Sequence, residues 1–252
     1  LSRHERRPLP RFLEQGLPAD VLAGRTLVLG KERAHQLGRV LRMVAGDELV
    51  LVGGVGSAWR AVLRALSPRE AVVELLESAE CAPEWRRPAV LACAVLKGDR
   101  QEWLLEKVVE SGLPVLQPLV TARTLVRPGL DGAKRQRWDR LVAEATEQCE
   151  RAVRMELREA VPLSSLQLPL GWSVLLVDES ASDVTASFEA WHAAVADAPG
   201  VVACVGPEGG WTREEREALV VRGAMPVSLG GTIMRAETAA LATVIRLGLL
   251  LA

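Results

Sequence analysis

From Ala89 onward the chain alternates uninterrupted apolar runs with segments of helical periodicity, and that rhythm confines the fold to one class. Ala89–Leu96 carries no polar residue, as a strand covered on both faces requires. Asp99–Ser111 places Trp103, Leu104, Val108 and Val109 at helical spacing and stops at Gly112, the residue type best suited to the left-handed turn after a helix. Strands follow at Val115–Val120, Ser173–Val177, Val201–Val205 and Pro226–Leu229. Helices fall at Asp131–Arg151, Ser187–Ala196, Thr212–Arg222 and Arg235–Leu250. Such alternation predicts an α/β domain with a mostly parallel sheet. Ligands of such sheets bind outside the carboxyl ends of the strands. The loops after Leu96, Val120, Val177, Val205 and Leu229 are therefore the ones to inspect.

The first eighty residues follow a different pattern. Thr26–Leu29, Glu48–Val52, Trp59–Leu66 and Ala71–Leu76 are short strand-like runs broken by Gly53, Gly54, Gly56 and Ser67-Pro68, which predicts a small β-rich barrel or meander. Between the first two, Glu32–Met43 has Leu37, Val40, Leu41 and Val44 at helical spacing, with Arg33, Arg39 and Arg42 on the outer face. The charged, proline-bounded stretch Cys81–Pro88 reads as a linker. The expected division is 1–80, a linker at 81–88, and 89–252.

Composition narrows the function classes. With 49% hydrophobic and 25% charged residues the chain has material for a core and is not a disordered protein. Residues 1–42 hold nine Lys/Arg against four Asp/Glu, plus His4 and His35, although the whole chain is at −1; that basic end suits a phosphate backbone. Cys81, Cys93, Cys149 and Cys204 are scattered, and with three histidines no metal constellation forms. No metal is expected. The Arg-rich start lacks an apolar leader, and Ala239–Ala252 is too short for a bilayer and carries Arg246. The expectation is a cytoplasmic chain with no membrane partner.

Two loops carry unusual glycine content. Gly206-Pro207-Glu208-Gly209-Gly210 follows a buried strand and precedes Thr212 and Glu215, which have capping-box spacing. It has neither the spacing of a P-loop nor that of a dinucleotide fingerprint. Leu229-Gly230-Gly231-Thr232-Ile233-Met234-Arg235 leads from a strand into an Ala-rich helix, with Ile233 and Met234 looking buried. An acidic residue in a first turn, such as Glu237, suits the helix dipole; Arg235 there does not. In a third region Arg123 follows a strand end, and Glu144, Gln148 and Arg151 would share a helix face.

The two glycine loops, with Lys97-Gly-Asp-Arg100, Glu110-Ser-Gly112, Gln117-Pro118-Leu119, Glu147-Gln148-Cys149 and the stretch His35–Met43, resemble the RsmE family of ribosomal RNA methyltransferases. The resemblance covers nearly the whole chain in order. It implies an N-terminal PUA-like RNA-binding barrel and a C-terminal SPOUT domain with a trefoil knot, acting as a homodimer. It implies S-adenosylmethionine as cofactor and N3 of one uridine in small-subunit ribosomal RNA, free or in the small subunit, as target. Gly206, Pro207, Glu208, Gly209, Gly210, Leu229, Gly230, Ile233, Met234 and Arg235 would line the cofactor pocket. Arg33, Arg39, Arg42, Arg123, Gln148 and Arg151 would face RNA, and Arg235 and Glu237 the reacting atoms, with Glu237 a base only if it reaches the N3 proton. The family usually has Arg at Thr232, Gly at Glu150, Pro at Met155 and Leu at Ser111. A related enzyme acting on transfer RNA or a ribose hydroxyl, and a non-catalytic RNA-binding protein, remain open alternatives.

Overall fold

The computed structural model describes residues 9–14, 17, 23–81, 84–125, 132–181 and 188–251. His4, Ala82 and Pro83 of the expected linker, Asp131 and Ser187 lie outside the described residues. The chain divides into two compact units, Leu1–Ala82 with Thr146–Arg154, and Pro83–Ala145 with Met155–Ala252.

The first unit is a five-stranded sheet of β1 (Arg11–Leu13), β2 (Thr26–Leu29), β3 (Glu48–Val52), β4 (Ala58–Leu66) and β5 (Ala71–Ser78), in the order β1-β3-β4-β5-β2. Only the β1–β3 pair is parallel. Gly54 and Gly56 take positive φ in the β3–β4 turn, as a tight hairpin requires. Burial alternates along the first part of β5, with Ala71, Val73 and Leu75 inward, and these pack with Phe12, Leu37, Leu49, Leu51 and Leu63 in one core. Residues 152–154 return to this unit: Val153 bridges Gly54 and Val55, and the Gly56 N–H donates to the Ala152 carbonyl.

The helix between β2 and β3 departs from its expected form. Helix α1 (Lys31–His35) runs into a π-helical turn, Gln36–Val40. A π turn adds a residue and rotates the downstream side chains about the helix axis. Leu37 and Met43 are buried, whereas Val40 and Val44 are 65% and 63% exposed and Leu41 is also exposed.

The second unit is a parallel sheet of β6 (Ala89–Ala94), β7 (Val115–Val120), β8 (Glu156–Leu157), β9 (Val161–Pro162), β10 (Ser173–Val177), β11 (Val201–Val205) and β12 (Ala224–Val227). Its order is β12-β10-β11-β6-β7-β8, with β9 also on β7. The helices are α2 (Asp99–Glu110), α3 (Gly132–Gln148), α4 (Phe188–Val195), α5 (Arg213–Val221) and α6 (Ala236–Leu251). Every residue of β6 and β11 is buried, which is why those runs lack alternation. Helix α6 packs on α2 and crosses β6 and β11. Trp103 of α2 is exposed, and the buried face is Gln101, Leu104, Leu105, Val108 and Val109.

Part of the expected linker is structural. A Cβ on Gly112 or Gly248 would meet the Trp85 indole at 2.8 and 3.2 Å, so both glycines make room for that ring. The Arg87 guanidinium donates to the carbonyls of Val195, Ala196, Ala198 and Leu250, satisfying groups that helix ends leave open. Among the described residues no helix is long and apolar enough to cross a membrane, and no cluster of metal-ligating side chains occurs.

Candidate active site

Strand order reverses direction at β6, with β7 on one side and β11 and β10 on the other, and a cleft opens at the carboxyl ends of β10, β11 and β12. Its volume is about 390 Å³, within the range of small-molecule sites. Both glycine loops line it: Gly206, Pro207, Glu208 and Gly210 from one, Leu229, Gly230, Ile233, Met234 and Arg235 from the other. Gly209 and Glu237 do not.

The first loop is shaped by what lies beneath it. Gly206 rests on Trp211, where a Cβ would stand 3.1 Å from the indole. That ring is buried and its Nε1 donates to the Val177 carbonyl at 3.1 Å. Gly210 has φ +68°, a conformation that costs other residues strain. The turn ends in a complete capping box between Thr212 and Glu215. From outside, Arg123 donates to the carbonyls of Gly209 (2.7 Å) and Trp211 (3.4 Å), and the Ala122 N–H donates to Glu215. Arg123, expected to face RNA, is exposed and also braces the glycine loop.

The second loop turns at Gly230, φ +126°, whose N–H donates to the buried Ser228 hydroxyl at 3.1 Å. Ile233 is 87% exposed rather than buried, and Met234 is half-buried. Glu237 stands outside the cleft, 3.7 Å from Arg100; Arg100 also lies 3.5 Å from Glu208. Glu208 accepts from the Lys97 N–H at 3.1 Å. Each carboxylate keeps one buried oxygen with no hydrogen-bond partner.

The cleft includes residues that the sequence motifs do not single out, Asp178, Glu179, Trp211 and Ser228, and also Arg100, which ends the Lys97–Arg100 motif but has no expected role there. Asp178 is 4% exposed, accepts from the Ser180 N–H and hydroxyl at 2.8 Å, and pairs with Arg216 at 3.3 Å. Its signal is positional, since it directly follows strand β10. Burial pushes the Cys93 thiol up to about 12, helped by the nearby Glu208 charge, and burial likewise puts Cys204 at about 12. These protonated thiols are not nucleophiles.

The remaining expected RNA contacts scatter. Arg39 and Arg42 are exposed on the first unit, Arg42 at φ +57°. Arg33 is not on an outer face: it lies over Phe12, 2.6 Å from Glu147, and donates to the Leu13 carbonyl. Glu144 and Gln148 share a face of α3 but Arg151 does not join them, because α3 stops at Gln148 and Glu150 reverses the chain at φ +60°. Gln148 is exposed and Arg151 is buried.

A parallel sheet with a glycine-lined cleft at its carboxyl edge, following a small β-rich unit, is the architecture that two RNA methyltransferase family models match. Residues 83–248 match the RNA methyltransferase domain and residues 29–76 the RNA methyltransferase PUA domain. The chain is 36% identical over 220 residues to ribosomal RNA small subunit methyltransferase E of Synechocystis, covering 85% of this chain and 70% of that protein. The Neisseria gonorrhoeae ribosomal RNA small subunit methyltransferase E, solved bound to S-adenosyl methionine, superposes with TM-score 0.81 at 30% identity over 96% of this chain and 98% of that one. A Legionella pneumophila protein in complex with the bound cofactor SAM gives 0.82 at 28%, over 94% and 95%. The chain belongs to the ribosomal RNA small subunit methyltransferase E family.

Proposed function

We propose that the protein transfers a methyl group from S-adenosylmethionine to N3 of one uridine in small-subunit ribosomal RNA. The observation that carries this is the convergence of both glycine loops on one cleft in a chain of this family. The residues present suit the cofactor: positive-φ Gly210 and Gly230 let backbone groups approach an adenosyl moiety, and Glu179 offers negative charge to a cation, whereas Asp178 is already paired with Arg216. When bound, S-adenosylmethionine supplies an electrophilic methyl group on sulfur.

The chain's own task is on the RNA side. Uracil N3 becomes a competent nucleophile once its proton is lost to water, leaving negative charge on the ring carbonyls; the N3 electron pair then forms the bond to the methyl carbon as the sulfur–methyl bond breaks and the sulfur leaves as a neutral thioether. The Arg235 guanidinium, which lines the cleft and donates to no other described residue, is the group that stabilises this charge, since fixed donors act strongly where water is excluded. Glu237, outside the cleft and beside Arg100, serves as a first-turn acid of α6. N3 lies on the pairing edge, so the base must be unpaired or flipped out. The PUA-type first unit, with exposed Arg39 and Arg42, and Gln148 supply RNA contacts.

We further propose a homodimer. Beside the cleft, Leu229, Met234, Ala242, Ile245 and Leu249, with Arg246 among them, line a largely apolar groove, with Ile245 and Leu249 exposed; a second copy covering this face would remove its apolar surface from water. Light scattering on the purified protein tests the assembly. The activity is tested by incubating small subunits from a methylation-deficient strain with the protein and labelled S-adenosylmethionine. One methyl per subunit at a uridine N3, mapped by mass spectrometry, is the expected result. Label on a ribose, on transfer RNA only, or absent label rejects the reading.

A further inference from the structure

The sheet edge that forms the cleft carries charges of both signs. Along it the strands run β12, β10, β11, β6. Asp178 and Glu179 leave the β10 end, whereas Arg100 rises from the first turn of α2, just beyond the β6 end. Arg100 touches two carboxylates without a hydrogen bond to either. It stands 3.5 Å from Glu208 and 3.7 Å from Glu237, with its side chain 45% exposed. Its guanidinium makes no hydrogen bond to any other described residue. A guanidinium carries five N–H donors in a planar fork. Here that fork is held in place by Coulomb attraction while its donors stay open, and it lines the cleft with Arg235.

We propose that Arg100 is a substrate-binding residue that donates to a phosphate oxygen of the nucleotide entering the cleft. The inference rests on the methyltransferase reading. A guanidinium that lies near two carboxylates but is hydrogen-bonded to neither keeps donors to offer a phosphate of the strand that enters the cleft. Half-exposure at the rim suits a phosphate, which stays partly hydrated, better than a buried base carbonyl. Planar guanidinium donors pair with phosphate in bidentate fashion.

The test uses the full chain and measures small-subunit ribosomal RNA affinity as a function of salt, with S-adenosylmethionine affinity by calorimetry. Arg100→Gln is expected to weaken RNA binding about tenfold at low salt and to flatten the log–log salt slope by roughly one. S-adenosylmethionine affinity should stay within about twofold of wild type, as a phosphate contact does not touch the cofactor. Arg100→Lys, a point charge, should keep most of the slope and recover only part of the affinity. Should Arg100→Gln unfold from uncompensated acid, the double variant Arg100→Gln/Glu237→Gln removes one charge of each sign and carries the same expectation. Unchanged RNA affinity and slope overturn the proposal. So does a large loss of cofactor affinity alone, which would make Arg100 a strut for Glu208. Absent S-adenosylmethionine binding by the wild-type protein would instead overturn the methyltransferase reading, and this proposal with it.

Discussion

Arg33 and Glu147, 114 positions apart, meet at 2.6 Å inside the first unit. The same carboxylate accepts the Leu13 N–H at 2.9 Å, and Arg33 donates to the Leu13 carbonyl, so the pair clasps strand β1. Their side chains are 15% and 21% exposed. Removing one partner leaves a largely buried charge, which costs about 3–5 kcal/mol where burial is complete. Partial hydration reduces this, so Glu147→Ala is expected to cost about 2 kcal/mol. Urea unfolding of the variant checks the figure; an unchanged midpoint would show that the clasp contributes nothing.

Glu14 sits beside this pair. Burial raises its pKa from 4.5 and the Glu147 charge raises it further, against the opposing effect of Arg33. A carboxyl with a raised folded-state pKa is best tolerated when protonated. Its contribution is therefore fully present below the unfolded value and is lost as pH rises through the folded one. Glu14→Gln should remove that decline: measured against wild type, the variant should gain stability on going from about pH 4 to about pH 7. Parallel stability–pH curves for the two proteins would exclude the effect.

Much of the architecture is readable from the chain, and the exceptions have physical causes. The β6 and β11 runs announce themselves because both faces are buried. The glycine loops stand out because no ordinary turn needs so many glycines with a carboxylate between them. The apolar spacing of Leu37, Val40 and Leu41 misleads because the π turn at Gln36–Val40 breaks the 3.6-residue period on which helical spacing depends. Helical pattern continues past Gln148, so the reversal at Glu150 and the return of 146–154 to the first unit leave no periodic trace. Asp178 is a single charged residue, and only its place after a strand distinguishes it from surface charge; Arg100 stands in the Lys97–Arg100 motif, but nothing in the sequence shows which neighbours it meets.

The reversal itself is testable. Glu150 holds φ +60° without being glycine, a conformation costing roughly 1–2 kcal/mol for an L-residue. Its pairing with Arg11 at 3.3 Å is half exposed and offsets little. After allowance for glycine's extra chain entropy, Glu150→Gly should stabilise the protein by about 0.5–1 kcal/mol. Glu150→Ala should not, because it keeps the Cβ. Thermal melting of both variants decides, and equal melting temperatures would mean the turn is unstrained.

Arg123 braces the Gly209 and Trp211 carbonyls. A hydrogen bond from a charged donor is worth about 1.5–3 kcal/mol when buried, and less at this exposed site. Arg123→Ala should loosen the glycine loop and weaken S-adenosylmethionine binding about threefold to tenfold, that is, by roughly 1 kcal/mol. Calorimetry reads this directly. A variant that binds the cofactor normally but loses RNA affinity would return Arg123 to the RNA surface.

Arg235 separates binding from chemistry. It ends the second glycine loop immediately before α6 and lines the cleft, but its donors engage no other described side chain. A group that acts on charge present only during the reaction should matter for turnover and hardly for cofactor affinity. Loss of one such donor typically raises the barrier by about 3 kcal/mol, near a hundredfold in rate. Arg235→Ala should therefore slow single-turnover methylation by about that factor at saturating RNA and cofactor. Raising the pH should restore part of the rate, because a base already ionised in solution no longer needs the arginine to lower its cost of deprotonation. Rate loss that is independent of pH and accompanied by equal loss of cofactor affinity would assign Arg235 to the cofactor instead.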